Sequence, residues 1–300
     1  MNNLSVPTGP VDVILDTDTY NEIDDQFALS YLVRSEEKLH VIGLTAAPFF
    51  NENSTSPADG MERSYEEILH LLDLLGHDDL KNITFRGSDR YLSDEHTLVM
   101  SEAARFMAEA SRSYSPEKPL YIVAIGAITN VASALLMEPS MKENCVVVWL
   151  GGHALGYGAA EFNMMQDIAA ARVVMLSGIP FVQLPCRGVV DVFHTTAPEL
   201  DYWLSGKNAL CDYLVQHTCE AAESYAAGKP WSRVIWDVTT IGWLLNDNDR
   251  FMTSRLIHAP VPEYDLRYAE DPNAPLIRYV DHIHRDALME DLFRKLTQES

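Results

Sequence analysis

The chain has 300 residues, 47% hydrophobic and 22% charged, with a formal net charge of −22. That composition is ordinary for a soluble globular protein, and the length allows a substantial buried core. The acidity excludes binding to a nucleic-acid backbone, which needs clustered Lys and Arg; a neutral substrate or a bound cation suits it better.

Cys145, Cys186, Cys211 and Cys219 form no CxxC pair and no secreted disulfide spacing, so reduced thiols in a cytoplasmic protein are expected. The N-terminal region lacks a basic segment followed by an apolar run, and no apolar stretch is long enough to span a bilayer, so no membrane association is expected.

The first element, residues 11–15, is a short β-branched apolar run that reads as a buried strand. It leads into residues 16–25, DTDTYNEIDD, and then into a helix in which Phe27, Tyr31 and Leu32 recur at helical spacing. Asp16, Asp18, Asp24 and Asp25, with Glu22 nearby, therefore sit where a strand runs into a helix. Such a cluster repels itself and raises its own pKa values. A hard divalent ion, Ca²⁺ or Mg²⁺, relieves the repulsion through oxygen ligation. The competing reading is a solvated acidic turn that supplies first-turn acid to the helix.

Strand and helix patterns then alternate. Residues 39–45 read as a strand, 51–60 as a polar loop, 62–75 as a helix and 83–85 as a short strand. Residues 102–111 read as a helix, 120–125 as an apolar strand, and 128–137 as a helix closed by Glu138-Pro139. Residues 146–150 (strand), 168–176 (helix) and 181–185 (strand) continue the rhythm. Helices follow at 210–227 and 236–245, late strands at 255–260 and 277–281, and a charged helix at 285–296. The expected fold is an α/β, open, mostly parallel sheet flanked by helices, with extra helices in the C-terminal part, forming one domain over residues 1–300. In such sheets ligands bind at the carboxyl ends of strands. The unusual residues fall at those ends: Asp16 and Asp18, Thr45 to Asn51, Gly126, and Gly151-Gly152-His153.

Asp-Thr-Asp followed by Asp-Asp between a strand and a helix resembles the signature of the nucleoside hydrolases, which use Ca²⁺ to cleave the N-glycosidic bond of ribonucleosides. Residues 124–132, AIGAITNVA, look like that family's GPLTN-type turn; the resemblance makes the Ile125 carbonyl a calcium ligand, whereas the residues alone equally suit a turn capped by Thr129 or Asn130. Residues 159–167, AAEFNMMQD, are similar to the family's AEFN segment, which implies that Glu161 and Asn163 hold ribose hydroxyls. Residues 235–241, IWDVTTI, align with the late segment whose aspartate, Asp237 here, completes the calcium site.

The resemblance thus implies calcium on Asp18, Asp25, Asp237 and the Ile125 carbonyl, with Asp18 as general base, Asp24 on a ribose hydroxyl and Asp16 bracing the cluster. Where many members carry a leaving-group histidine, this chain has Trp236; the purine-preferring branch has tryptophan there, stacked on the base. A core tryptophan is the competing reading. Purine nucleosides are therefore expected as substrates, with stacking on the indole favouring a protonated base. His153, Tyr157 and His96 are further candidates near the leaving group. The chain departs from the family in the turn between Asp18 and Asp24, where five residues intervene and a glycine is missing, and in residues 86–91, RGSDRY, where an HG turn is usual. Those departures leave two other functions open: a calcium-dependent ribose-binding protein without turnover, or a hydrolase of a different N-riboside. A homodimer or homotetramer is the assembly the resemblance implies.

Overall fold

The computed structural model describes residues 4–298. Its centre is an eight-stranded sheet in the order β3-β2-β1-β4-β5-β6-β12-β9. Here β1 is Val11–Thr17, β2 Leu39–Ala46, β3 Thr84–Phe85, β4 Leu120–Ala124, β5 Cys145–Leu150, β6 Phe181–Leu184, β9 Met252–His258 and β12 Leu276–Ile283. Neighbours pair in parallel except β9, which runs antiparallel to β12 at the edge. Two small antiparallel pairs stand apart: β7 (His194–Thr195) with β8 (Arg233–Val234), and β10 (Val261–Pro262) with β11 (Tyr268–Ala269).

The central strands are apolar on both faces because helices cover both. Val13, Leu15, Val123 and Val148 face one core, and Ile14, Ile122, Val147 and Trp149 face the other, as strand alternation requires. The first core is closed by α1 (Asp24–Val33), α2 (Pro57–Leu75), α8 (Ala197–Leu204), α9 (Ala209–Ala226), α10 (Val238–Leu244) and α11 (Arg285–Leu296). The second is closed by α3 (Glu102–Ser111), α4 (Thr129–Met137) and α7 (Ile168–Met175), with the short α5 (Met141–Asn144) and α6 (Phe162–Gln166) beside it.

The chain runs outward from β1 through β2 to β3, then returns to β4 on the other side of β1 and runs outward again. The carboxyl ends of β1 and β4 therefore flank the switch point, where open sheets present a crevice.

Several expected boundaries move. The helix expected at 62–75 begins at Pro57, because Ser56 accepts a hydrogen bond from the Asp59 amide and Pro57 occupies the first helical turn. The helix expected at 236–245 begins at Val238, so Trp236 and Asp237 lie in the segment leading into it. The late strands belong to the central sheet itself, as β12 and β9, and α8 was not anticipated. Among the described residues no helix is long and apolar enough to cross a membrane. All four cysteines are free thiols.

Candidate active site

The end of β1 delivers Asp16 and Asp18, and the first turn of α1 delivers Asp24 and Asp25. Asp16 is fully buried. Its Oδ1 accepts from Thr45 Oγ1 at 2.7 Å and from Asn130 Nδ2 at 2.8 Å. Asn130 also donates to the Ala46 carbonyl at 3.0 Å and accepts from the Ser88 amide and hydroxyl at 2.8 Å each. One α4 side chain thus locks the ends of β1 and β2 to the loop after β3. Neither Thr129 nor Asn130 caps α4; Thr129 Oγ1 donates instead to Asp167 Oδ2 at 2.7 Å, so the capping reading of that turn fails. Burial pushes the Asp16 carboxyl up to about 6, against the pull of the Asn130 and Thr45 hydrogen bonds.

Carboxylate oxygens of Asp24, Asp25 and Asp237 come within 4.8 Å of one another, all buried. Asp18 is fully buried beside them, with Asp25 as its strongest charged neighbour. Thr17 Oγ1 donates to Asp25 Oδ1 at 2.5 Å. Burial raises the Asp18, Asp25 and Asp237 carboxyls, and their mutual repulsion adds to it. Asp24 is raised by burial too, with the Arg233 guanidinium opposing. Both oxygens of Asp18, and Oδ1 of Asp237, are buried with no hydrogen-bond partner. Such orphaned oxygens are costly in a protein interior. An all-oxygen cage with several carboxylates fits a hard divalent cation, and the donor set lacks the nitrogen and sulfur ligands that softer metals select.

The turn between β4 and α4 closes over this cluster. A Cβ on Gly126 would stand 2.8 Å from Asp18 Oδ1, so only glycine lets the backbone pass this close. The neighbouring Ile125 carbonyl lines the cleft and accepts from Asn163 Nδ2 at 2.9 Å, keeping a second lone pair free.

Glu161 and Asn163 are fixed before any ligand arrives. Glu161 caps α6: Oε1 accepts from the Asn163 amide at 2.9 Å, and Oε2 from the Gly152 and Met164 amides at 2.8 and 3.0 Å. The second Asn163 Nδ2 hydrogen goes to the Leu150 carbonyl at 3.0 Å. Cys186 hydrogen-bonds Glu161 as well, and both Glu161 and Asn163 line the cleft, where carboxylate and amide oxygens are the acceptors a sugar hydroxyl requires.

The other wall is assembled from distant segments. Trp236 is half-buried and lines the cleft beside Asp237, together with His153, Cys186 and Arg187. His153 Nδ1 accepts from the Arg187 amide at 3.3 Å, and burial together with the Arg187 charge lowers its pKa, so the neutral ring carries its proton on Nε2. The cleft has a volume of about 330 Å³, within the range of small-molecule sites.

Asp24, Asp25, Ile125, His153, Glu161, Asn163, Trp236 and Asp237, all singled out from the sequence, line this one cleft. Asp18 is fully buried and does not line it. Tyr157 is exposed and edge-on to His153, while His96 lies outside the lining. The long turn after Asp18 is braced: Asn21 accepts from Asn51 Nδ2 at 2.5 Å, and its carbonyl accepts from Asn53 Nδ2 at 2.9 Å. Sequence reasoning missed Arg233, whose Nη2 lies 2.5 Å from Glu22 and 3.9 Å from Asp24. It also missed the bracing roles of Asn130 and Asn21. A lone arginine on a two-residue strand carries no periodic signal, and Asn130 reads as an ordinary helix-start residue.

The profile of the inosine-uridine preferring nucleoside hydrolase family matches residues 13–270. Among curated relatives, the pyrimidine-specific ribonucleoside hydrolases RihA of Salmonella schwarzengrund (strain CVM19633) and Citrobacter koseri (strain ATCC BAA-895) are 31% and 33% identical over 153 residues. These alignments cover 48% of this chain, and the chain spans about half, 47%, of the length of those relatives. A plant nucleoside hydrolase, PpNRh1, shares the fold with a TM-score of 0.76 at 19% identity, over 97% of this chain and 100% of that one. A purine-preferring ribonucleoside hydrolase from Gardnerella vaginalis does so with a TM-score of 0.75 at 19% identity, over 95% and 98%. Because the profile runs through the strand-end aspartates, the Glu161 segment and Asp237, this chain belongs to the inosine-uridine preferring nucleoside hydrolase family.

Proposed function

We propose that this protein is a Ca²⁺-dependent hydrolase of the N-glycosidic bond of ribonucleosides, releasing ribose and the free base, with purine nucleosides favoured. The observation that carries the reading is the buried carboxylate cluster with orphaned oxygens, set beside two pre-positioned acceptors for sugar hydroxyls. Asp18, Asp25, Asp237 and the Ile125 carbonyl would hold the cation. When bound, such an ion lowers the pKa of a coordinated water and binds sugar hydroxyls.

The chain's own groups do the rest. Asp18, with two uncommitted oxygens, takes the proton of the attacking water. Asp24 orients a ribose hydroxyl, and Glu161 and Asn163 accept from others, their geometry fixed by amides and carbonyls that do not move. The carboxylates on the sugar face stabilise the oxocarbenium-like charge at the anomeric carbon. Trp236 offers its indole face to the base, and a purine covers more of it than a pyrimidine. His153 lines the same wall, its ring held between the Arg187 amide and the Ala160 backbone.

Two supports pull apart on base preference: the aromatic wall favours purines, whereas the curated relatives are pyrimidine-specific. The test is ribose release from a panel of purine and pyrimidine nucleosides, with and without chelator. Release from inosine exceeding release from uridine, and abolished by chelation, is expected. Release unaffected by chelation would overturn the calcium dependence, and a uridine preference would overturn the role of Trp236.

A further inference from the structure

The cleft wall carries a thiol for which the reading above has no task. Cys186 stands two residues past β6, lines the cleft and is 6% exposed. Of the four cysteines only Cys186 lines the cleft; Cys145 and Cys211 are wholly buried elsewhere. Its backbone is pinned on both sides. The amide donates to the Gly152 carbonyl at 2.8 Å, and the carbonyl accepts from the Val190 amide at 2.9 Å.

Two connections run from Cys186 to Glu161. One is backbone: the Cys186 amide holds Gly152, and the Gly152 amide donates to Glu161 Oε2 at 2.8 Å. The other is the side chain, whose S–H donates to the Glu161 carboxylate. The remaining donors on that carboxylate are the Asn163 and Met164 amides. Glu161 is therefore held from three separate parts of the chain, and the thiol is the one side chain that holds it. Burial, and then the Glu161, Asp237 and Asp24 carboxylates, push the Cys186 thiol well up, so it keeps its proton and stays a donor. The backbone connection survives a change of side chain, so such a change isolates the thiol.

Resting on the hydrolase reading above, we propose that Cys186 is a positioning residue for the ribose contact, its S–H holding the Glu161 carboxylate in the orientation that accepts from a sugar hydroxyl. The thiol makes and breaks no covalent bond. It limits rotation of the carboxylate when a ligand hydroxyl competes with the amides for the same oxygens, which is how a supporting side chain keeps a contact in productive geometry.

The test is a double-mutant cycle on the calcium-loaded protein, read as kcat/KM on inosine, or on uridine if uridine is cleaved faster. Cys186→Ala should cost roughly 5- to 10-fold, the scale of a weak donor lost from a charged acceptor. Cys186→Ser, which returns an O–H donor of similar shape, should stay within about 2-fold of the unmodified protein. In a Glu161→Ala background, Cys186→Ala should cost under about 2-fold, because the group it positions is gone. Where turnover in that background is too slow to measure, the same cycle is read on the affinity for ribose. Equal costs of Cys186→Ala in the two backgrounds, or Cys186→Ser as damaging as Cys186→Ala, would show that the thiol only fills the wall and would overturn the proposal. Absence of ribose release from every nucleoside by the unmodified protein would instead overturn the hydrolase reading, while the cycle on ribose affinity still decides this inference.

Discussion

The two ends of the cleft are built differently. The end proposed to hold the sugar is made where β1, β4 and β5 terminate, and its polar groups are tied in place: Glu161 to three amides, Asn163 to two carbonyls, Asp16 to the Thr45 and Asn130 side chains. The end proposed for the leaving group is made from residues 153, 187 and 236, on three loops that meet only in the folded chain. A rigid sheet rim fixes what every substrate shares, and loops fix what distinguishes one substrate from another. The comparison predicts that damage to the sugar end is large and indifferent to the base, whereas damage to the other end is smaller and base-dependent.

The largest expected effect is at the acidic floor. Asp25→Ala should remove the bound calcium and lower kcat on every nucleoside by roughly 1,000-fold or more, because an electrostatic centre of the transition state is lost. Calcium analysis and ribose release on the same preparation check it, and near-normal turnover would show that Asp25 is not a ligand. Next come Glu161→Ala and Asn163→Ala, each expected to cut kcat/KM about tenfold or more on purine and pyrimidine ribosides alike. A collapsed melting temperature with unchanged kcat/KM would mark them as purely structural, a live contrast because Glu161 also caps α6.

Trp236→Ala should then narrow the preference for inosine over uridine by about 3- to 10-fold while calcium occupancy stays intact, in keeping with the modest energy of aromatic stacking. An unchanged ratio would move base selection to another wall.

The smallest effect is on stability and follows from the raised carboxyls. Asp25 rises from 3.8 to about 8 through burial and its carboxylate neighbours. A raised folded-state pKa stabilises the fold below the unfolded value and loses that contribution as pH climbs through the folded value. The metal-free protein should therefore lose stability as pH rises from about 4 to about 8. Calcium needs the ionised carboxylates and displaces their protons, so its gain in melting temperature should be larger at pH 8 than at pH 5. The opposite order in thermal denaturation scans would show that the carboxyls are not the calcium ligands.

The same contrast explains how far the sequence could be read. The sheet was legible because strands buried on both faces are continuous apolar runs, as in residues 120–124 and 145–150. The residues proposed for the sugar end could be singled out because Asp16 to Asp25 is one contiguous acidic stretch and because residues 159–167 resemble the family's AEFN segment. Pro57 as a helix start was readable too, from the Ser56-Pro57 pair, but the polar loop around it masked the signal. Arg233 could not be found this way: its meaning comes from Glu22, 211 residues earlier. Asn130 likewise takes its role from Asp16, 114 residues away. Side chains whose partners lie that far off reveal themselves only once the chain is folded.

The most direct test of the central claim, that the buried carboxylates hold a catalytic calcium, is ribose release from inosine measured on one preparation before chelation, after chelation and after calcium is returned. About one calcium per chain, loss of release with its removal and recovery with its return are the expected results, given that oxygen cages of this kind span nanomolar to millimolar affinity. Undiminished release from protein shown to be free of calcium and magnesium would contradict the account.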